Sequence, residues 1–578
     1  MSFVNGLPSA GEVYDVVVVG SGFAGSTTTL RFLEECERLG KSGKIALIEA
    51  GKEGERCGAS RWTQAVLRLT DDNVFDPNWK HVMKASIDDL YLLIPKVGFM
   101  GLIFLHSGGL ADQAYCEKLE KEAPISVDYI KERGVKLHHH YEENLLVQFS
   151  TRQHFCYPIG GGHAIINTLF DHIRKYPNVK VLWETTAEHL LQTEQGEVCG
   201  VRVRQADGKL SKVFGKKVML ACGGFEGSKD LMAQFVGPRV EHLPVIAPGL
   251  KYNTGFGLKM GMEVGAQVAG SMNGLHCEMV DSRTTKPDAV VWGHNFGIVV
   301  NKDCKRFYDE GKDSLFATFE MIALEVWRGM ASDITSLDRA CFLTFSFWDI
   351  KTKTKRPICT SSSSSLLNWS RVLYPLADPD LSITDKPIMD RFRPGWVFET
   401  TDLEPESSDT IEGLAEKLGI DPKALKKTVD EFNAATNDAP LDLLKHDGKS
   451  TRGYVNHLSL LLGLRLRLRY LGPLTVTTTT TDTPIYYSLT PEKSNWAAPI
   501  KVAPFYGFPL KTNVTFTFGG LKTDLDSRVI SISGAPIPNL YCTGELSGVF
   551  YNEYPGAVSV LRSLTFGRLA GQKFAQDL

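Results

Sequence analysis

The chain opens on a nearly uninterrupted apolar run, Tyr14–Val19 (YDVVVV). A β-branched run of this kind suits a strand buried on both faces of a parallel sheet. It runs straight into Gly20-Ser21-Gly22-Phe23-Ala24-Gly25, and a helical pattern follows from Ser26 to about Leu39. A second apolar strand, Lys44–Ile48, ends at Glu49. Strands and helices keep alternating through residues 12–250, which predicts a doubly wound α/β unit. Within it, residues 178–191 and 200–204 read as a β-rich layer. From 251 to 495 the pattern is mixed. Ser408–Asn433 reads as two helices, with Asp409 and Asp421 as N-caps. Residues 496–578 return to strands and end in a helix, Leu564–Ala575.

The glycine turn adds chemistry to this pattern. Gly20 permits the tight turn, Gly22 lets backbone approach a pyrophosphate, and Gly25 lets the helix pack on the strand. The helix N-terminus, just after the turn that contains Ala24, offers free N–H groups and a favourable dipole to an anion. Glu49 closes the second strand about 20 residues on, where an acid accepts hydrogen bonds from a ribose. Two later stretches bear on which dinucleotide this is. Val218–Phe225 (VMLACGGF) is an apolar strand broken by paired glycines, and Leu540–Gly544 (LYCTG) is a strand running into Glu545. Nucleotide-binding pieces near both ends of a long chain point to an extended cofactor gripped by both. That favours FAD over a nicotinamide held by one contiguous unit.

Composition narrows the class. The chain has 578 residues, 43% hydrophobic and 23% charged, with a formal net charge of −3. No strong field favours nucleic acid or anionic lipid. Eleven cysteines are scattered without metal-ligand spacing, which reads as reduced thiols and a cytoplasmic location. No basic-then-apolar signal segment opens the sequence. The apolar run Tyr91–Leu105 contains Pro95 and Lys96 and falls short of the ~20 residues a membrane span needs. His138-His139-His140 invites a metal reading, but adjacent side chains do not converge on one ion from a strand or helix, so no metal is expected.

The segments GSGFAG (20–25), GASRWT (58–63), YPIGGGHAIINTL (157–169), LACGGFEGS (220–228), NTGFGLKMGMEVGA (253–266), TPEKSNWA (490–497) and LYCTGELSGVFYNEYPGAVS (540–559) together resemble one group of flavoproteins. It is the fumarate reductase, tricarballylate dehydrogenase and 3-ketosteroid dehydrogenase family, with the tricarballylate-dehydrogenase-like branch closest. The resemblance implies a Rossmann-like FAD-binding domain built from both chain ends (12–250 and 496–578), with an inserted α+β capping domain (251–495). It implies hydride transfer through flavin N5. Ala187 would meet the adenine end of FAD through its backbone. Ser60, Arg61 and Thr63 lie in the loop that passes near N5 and the pyrophosphate. Members that attach FAD covalently use a histidine in that loop; Arg61 and Trp62 stand here instead, which implies non-covalent FAD.

The same resemblance nominates chemistry. In ketosteroid dehydrogenases a Tyr-Pro-Gly tract places a tyrosine hydroxyl on the substrate carbonyl. Here that tyrosine is Tyr554, with the N–H near Val558 as partner donor. His276 stands where the tricarballylate-like branch has a cap histidine, as a carboxylate ligand, a proton relay or a satisfied core residue. Arg391, Arg393 and Lys493 are candidates for carboxylate binding, with surface solvation as their other reading. Features of fumarate reduction proper are missing: Ser314 stands where an arginine acid is expected, Tyr554 where a substrate arginine is, and Phe516-Thr517-Phe518 where a histidine is.

These residues predict an FAD-dependent oxidoreductase acting on a C–C bond beside a carbonyl or carboxylate, with desaturation favoured. The alternatives are ene-reduction in the same site, or a non-catalytic or defective flavoprotein. The partner is a small carbonyl or carboxylic acid, and the electron acceptor is open. Three stretches, 93–107, 329–382 and 453–488, interrupt the family pattern. They read either as retained introns translated in frame or as insertions forming surface loops.

Overall fold

The computed structural model describes residues 3–4, 7–8, 12–69, 72–75, 110–139, 156–312, 315–332, 380–385, 403–442, 446–451 and 489–578. The stretches 93–107 and 453–488, most of 329–382, and Tyr91, His140, Ser314, Arg391 and Arg393 lie outside them.

The opening run forms β1 (Val13–Val19) and the glycine turn leads into α1 (Phe23–Arg38). The helix begins three residues before Ser26, because the motif's own Phe23-Ala24-Gly25 make its first turn. The chain continues through β2 (Ile45–Ile48), α2 (Gln113–Glu132), α3 (Gly161–Ile173), β3 (Val179–Leu182), β4 (Thr185–Gln192), β5 (Val198–Gln205) and β6 (Leu210–Leu220). β6, β1, β2 and β3 pair in parallel, and β4 and β5 extend β6 as an antiparallel layer. Val16 and Val18 face one hydrophobic layer with Phe32, Ile165 and Leu564, while Val17 and Val19 face the other with Val201 and Phe225. A strand covered on both faces has no polar side to show, which is why its sequence does not alternate.

The cap is built around a second sheet. It joins β7 (Leu275–Asp281), β8 (Ile298–Val300), β9 (Asp380–Asp385), β10 (Glu406–Ser408) and β11 (Phe505–Thr517), in the order β7-β11-β9-β8 with β10 also on β11. Residues 380–382, the end of the second irregular stretch, pair with β11, and Leu381 and Ser382 pair also with β8. The helix α4 (Leu315–Ser332) packs on β7 and β11, and Thr512 Oγ1 donates to the Ala323 carbonyl at 2.6 Å. α5 (Ile411–Leu418) and α6 (Pro422–Ala435) bury Leu414, Leu425, Val429 and Phe432 beside β8. Asp421 caps α6, accepting from the N–H groups of Lys423 and Ala424. The cap of α5 is Thr410 rather than Asp409: β10 runs to Ser408, and the next extended residue able to face the helix is Thr410, which accepts from Gly413 N–H.

β11 begins in the cap and carries the chain back toward the first sheet. β12 (Arg528–Ile530) and β13 (Pro536–Cys542) complete that sheet, β13 pairing in parallel with β6. The final helix is α7 (Ser559–Gln576), which starts before Leu564. It lies against α1 at backbone distance: a Cβ on Gly567 would stand 2.6 Å from the Ala24 carbonyl, and one on Gly571 2.4 Å from that of Thr28. Both ends of the chain therefore form one wall. Among the described residues, no helix is long and apolar enough to cross a membrane.

Candidate functional site: two joined clefts

Gly20 sits at φ +101°, and its N–H donates to the Ile48 carbonyl at 2.8 Å. A Cβ on Gly25 would fall 1.9 Å from the Gly20 carbonyl, so this position takes only glycine. Gly22 is the N-cap of α1 and supplies no side-chain cap, which leaves the helix N-terminus open toward a cleft of about 850 Å³. Gly20, Gly22, Ala24, Glu49 and Ala187 line this cleft. Glu49 is buried; its carboxylate accepts from Ser21 N–H at 3.2 Å, from the Ser21 hydroxyl and from Gly51 N–H at 2.7 Å. An open helix N-terminus, a glycine turn and a fixed carboxylate fit the pyrophosphate and ribose of a dinucleotide.

A second cleft of about 1080 Å³ joins the first, with Phe23, Ala59, Ser60, Glu545 and Ser563 lining both. Glu545 is held at the junction: Oε1 accepts from Thr517 N–H at 3.0 Å and Oε2 from Asn253 Nδ2 at 3.4 Å. Asn253 also donates to Glu226 at 2.6 Å. Burial, then the neighbouring Glu545, pushes Glu226 well above the usual carboxylate range. Buried Trp62 Nε1 and Arg562 Nε have no partner among the described residues, and both side chains line the second cleft. Buried polar atoms left open in this way mark where a ligand fits.

His276, Tyr554 and Phe516 come together on this second cleft, the His276 ring 4.7 Å from that of Tyr554 and 5.0 Å from that of Phe516. His276 is 3% exposed and its Nδ1 is hydrogen-bonded to Glu320 of α4. Burial opposes the imidazolium, but Glu320 and Glu278 outweigh it and raise His276 to about 9. The Tyr554 hydroxyl donates to Ser559 Oγ at 3.0 Å and accepts from the N–H groups of Val558 and Ser559, each at 2.9 Å. The two donors expected to converge on a substrate oxygen therefore meet each other here. The Val558 side chain is fully buried.

The other sequence candidates separate. Ser60 lies between the clefts and its Oγ accepts the Phe23 N–H at 3.1 Å, while Thr63 lines the second cleft. Arg61 lines neither: its guanidinium bonds the Gly54 carbonyl and lies 3.5 Å from His163. Lys493 is fully buried inside the cap, donating to the carbonyls of Asn295 at 2.5 Å and Gly297 at 2.6 Å, so it is neither solvated nor at the clefts. His138 and His139 fall on a short strand, and the described residues hold no group able to bind a metal ion. Glu278, Asp288, Glu320 and Arg562 were not singled out from the sequence. Glu278 had a signal, since it lies two positions from His276 on a strand and so shares its face.

The sequence profile of the FAD-binding domain family matches residues 15–558. This chain belongs to the FAD-binding domain family. It is 23% identical to NADH:acrylate oxidoreductase of Vibrio harveyi and 24% identical to digoxin reductase of Eggerthella lenta, over 98% and 74% of this chain. The chain spans only 51% and 64% of the length of those two relatives. Among solved structures it is similar to 3-ketosteroid Δ1-dehydrogenase from Sterolibacterium denitrificans (TM-score 0.60, 17% identity, 98% of this chain and 100% of that one). It is equally similar to the open conformation of a flavocytochrome c3 fumarate reductase (TM-score 0.60, 16% identity, 98% and 79%). These likenesses confirm the α/β architecture, and family membership supports FAD as the cofactor.

Proposed function

We propose that this FAD-binding-domain protein is an oxidoreductase that moves a hydride between flavin N5 and a carbon–carbon bond next to a carbonyl or carboxylate. The observation that carries this is the junction at Glu545, where the glycine-turn cleft opens directly into one lined by His276 and Tyr554. FAD, when bound, supplies the two-electron chemistry. The chain's own groups do the rest. Gly20, Gly22 and the start of α1 hold the pyrophosphate, and Glu49 holds a ribose. Ala187 borders the same cleft, in keeping with a backbone contact to the adenine end. Tyr554 polarises the substrate oxygen by turning its proton from Ser559 Oγ into the cleft. His276, charged at neutral pH, adds positive potential beside it.

The relatives include both reductases of unsaturated compounds and a 3-oxosteroid 1-dehydrogenase from Mycobacterium tuberculosis, 23% identical over 72% of this chain. The same constellation serves desaturation and ene-reduction, since one is the reverse of the other. We place FAD here without a covalent link, since Arg61 and Trp62 occupy the loop beside the clefts. A cytoplasmic location belongs to the same proposal, supported by the described cysteines being free thiols.

The test is the visible spectrum of the purified protein before and after acid precipitation. Flavin bands that pass to the supernatant support bound, non-covalent FAD, and colour retained in the pellet refutes that attachment. Anaerobic bleaching by saturated ketones or acids, or reoxidation of reduced protein by enones or unsaturated acids, then supports hydride transfer. A flavin that responds to none of them sinks the activity.

A further inference from the structure

The wall of the second cleft carries acidic groups for which the reading above has no use. Glu278 and His276 leave the same face of β7 and both line the cleft. His276 sits between two acids, with Nδ1 on Glu320 and Nε2 3.4 Å from Glu278 Oε1. Glu320 is fixed in turn by Tyr554 N–H at 3.3 Å. On its other side Glu278 meets Asp288, which also lines the cleft, carboxyl to carboxyl. Two carboxylates in contact repel unless a proton lies between them. Burial, then Glu278, holds Asp288 well above the usual carboxyl range, which favours a proton held there. Glu278 Oε2 is buried and has no protein hydrogen-bond donor among the described residues.

We propose that the Glu278–Asp288 carboxyl pair is the proton-transfer group of this cleft, with His276 and Glu320 as positioning residues behind it. The assignment rests on reading the cleft as a hydride-transfer site. In desaturation the C–H bond on the carbon next to the carbonyl breaks, its proton passes to the Glu278 carboxylate, and its electron pair forms the new π bond. The neighbouring carbon loses hydride to flavin N5, reducing FAD. In the reverse direction the pair returns the proton to that carbon as hydride arrives at its neighbour. A pair that holds one proton can do either.

The groups facing the pair are His276 and Cys277 on its own strand, Lys286 beyond the strand's end, the Gln64 backbone on the loop opposite and Glu320 on α4. Tyr554, Glu545 and Arg562 line the same cleft, Tyr554 beside His276. Carboxyls on the wall make a neutral enone the suitable probe.

The experiment uses FAD-loaded protein reduced with dithionite and mixed anaerobically with 2-cyclohexenone, with return of flavin absorbance as readout. The wild type is expected to reoxidise at a rate that falls as pH rises and the pair loses its proton. Glu278→Gln is expected to slow this about 100-fold or more and flatten the pH profile. Reoxidation by oxygen should stay unchanged. Asp288→Asn, which keeps a donor beside Glu278, should slow the step less and move the profile. A Glu278→Gln protein that matches wild type in rate and profile overturns the pair's role alone. If that variant does not fold, the wild type decides: a profile flat from neutrality through pH 9, where His276 titrates, also overturns it. A wild-type flavin that oxygen reoxidises, but neither 2-cyclohexenone nor acrylate does, removes the hydride-transfer reading and the pair with it.

Discussion

Tyr554 satisfies two demands with one oxygen. Val558, the N-cap of α7, has no side chain able to cap the helix, and the Tyr554 hydroxyl takes the N–H groups of Val558 and Ser559 instead. Tyr554→Phe is therefore expected to abolish substrate-driven flavin bleaching while FAD stays bound. It should also cost about 1 kcal/mol of stability through the lost cap. Stopped-flow absorbance and a melting curve separate the two effects; turnover equal to wild type removes Tyr554 from the chemistry. His276 makes a pH prediction. Its raised value means that its contribution is complete below the unfolded value of 6.5 and is lost as pH rises through about 9. Burial raises Glu320 as well, which adds a decline in the same direction at lower pH. The melting temperature should fall across the 6.5 to 9 window, and His276→Gln should lose most of that fall; an unchanged slope in the variant would reject the assignment. At this scale the sequence showed residue types and missed their partners. The Tyr-Pro-Gly tract was legible, but not the return of the hydroxyl to its own helix. That return depends on left-handed backbone at Gly556 (φ +75°) and Ala557 (φ +53°), and only glycine advertises such a conformation.

At the scale of elements, the packing of α1 on α7 is the contact on which the nucleotide cleft depends. Gly567 and Gly571 lie one turn apart and let α7 approach the carbonyls of Ala24 and Thr28, and Ala24 itself lines the cleft. Gly571→Leu should overpack this contact by about 1–3 kcal/mol and loosen FAD together with the fold. Chemical denaturation followed by both flavin and tryptophan fluorescence checks this, and the two transitions should shift together. Periodicity made most helices readable, and Asp421 was legible as a cap. The start of α7 was not, because Arg562, a charged residue of its first turn, is buried together with Val560 and Leu561. Similarly, Thr410 replaced Asp409 because both residue types cap helices and the end of β10 chose between them.

At the scale of the whole molecule, the cofactor half was legible and the cap sheet was not. β1, β2 and the end of β6 each carry a dense apolar run beside a glycine signal. The cap strands pair across long separations, as β7 does with β11, so local pattern says little about their order. Deleting residues 559–578 should leave protein without flavin absorbance, since α7 closes one wall of the cleft around α1; flavin retained by the shortened protein would contradict this. The split construction also sets a timetable. During synthesis β1 and α1 emerge well before Glu545 and α7, which follow only after the entire cap. FAD therefore has no complete cradle while most of the chain is being made and does not template its early folding. The layer around Val16, Val18 and Phe32 waits uncovered for its last partner, so cofactor loading reports that translation has reached α7. A chain stalled before that point presents an apolar face to chaperones and proteases.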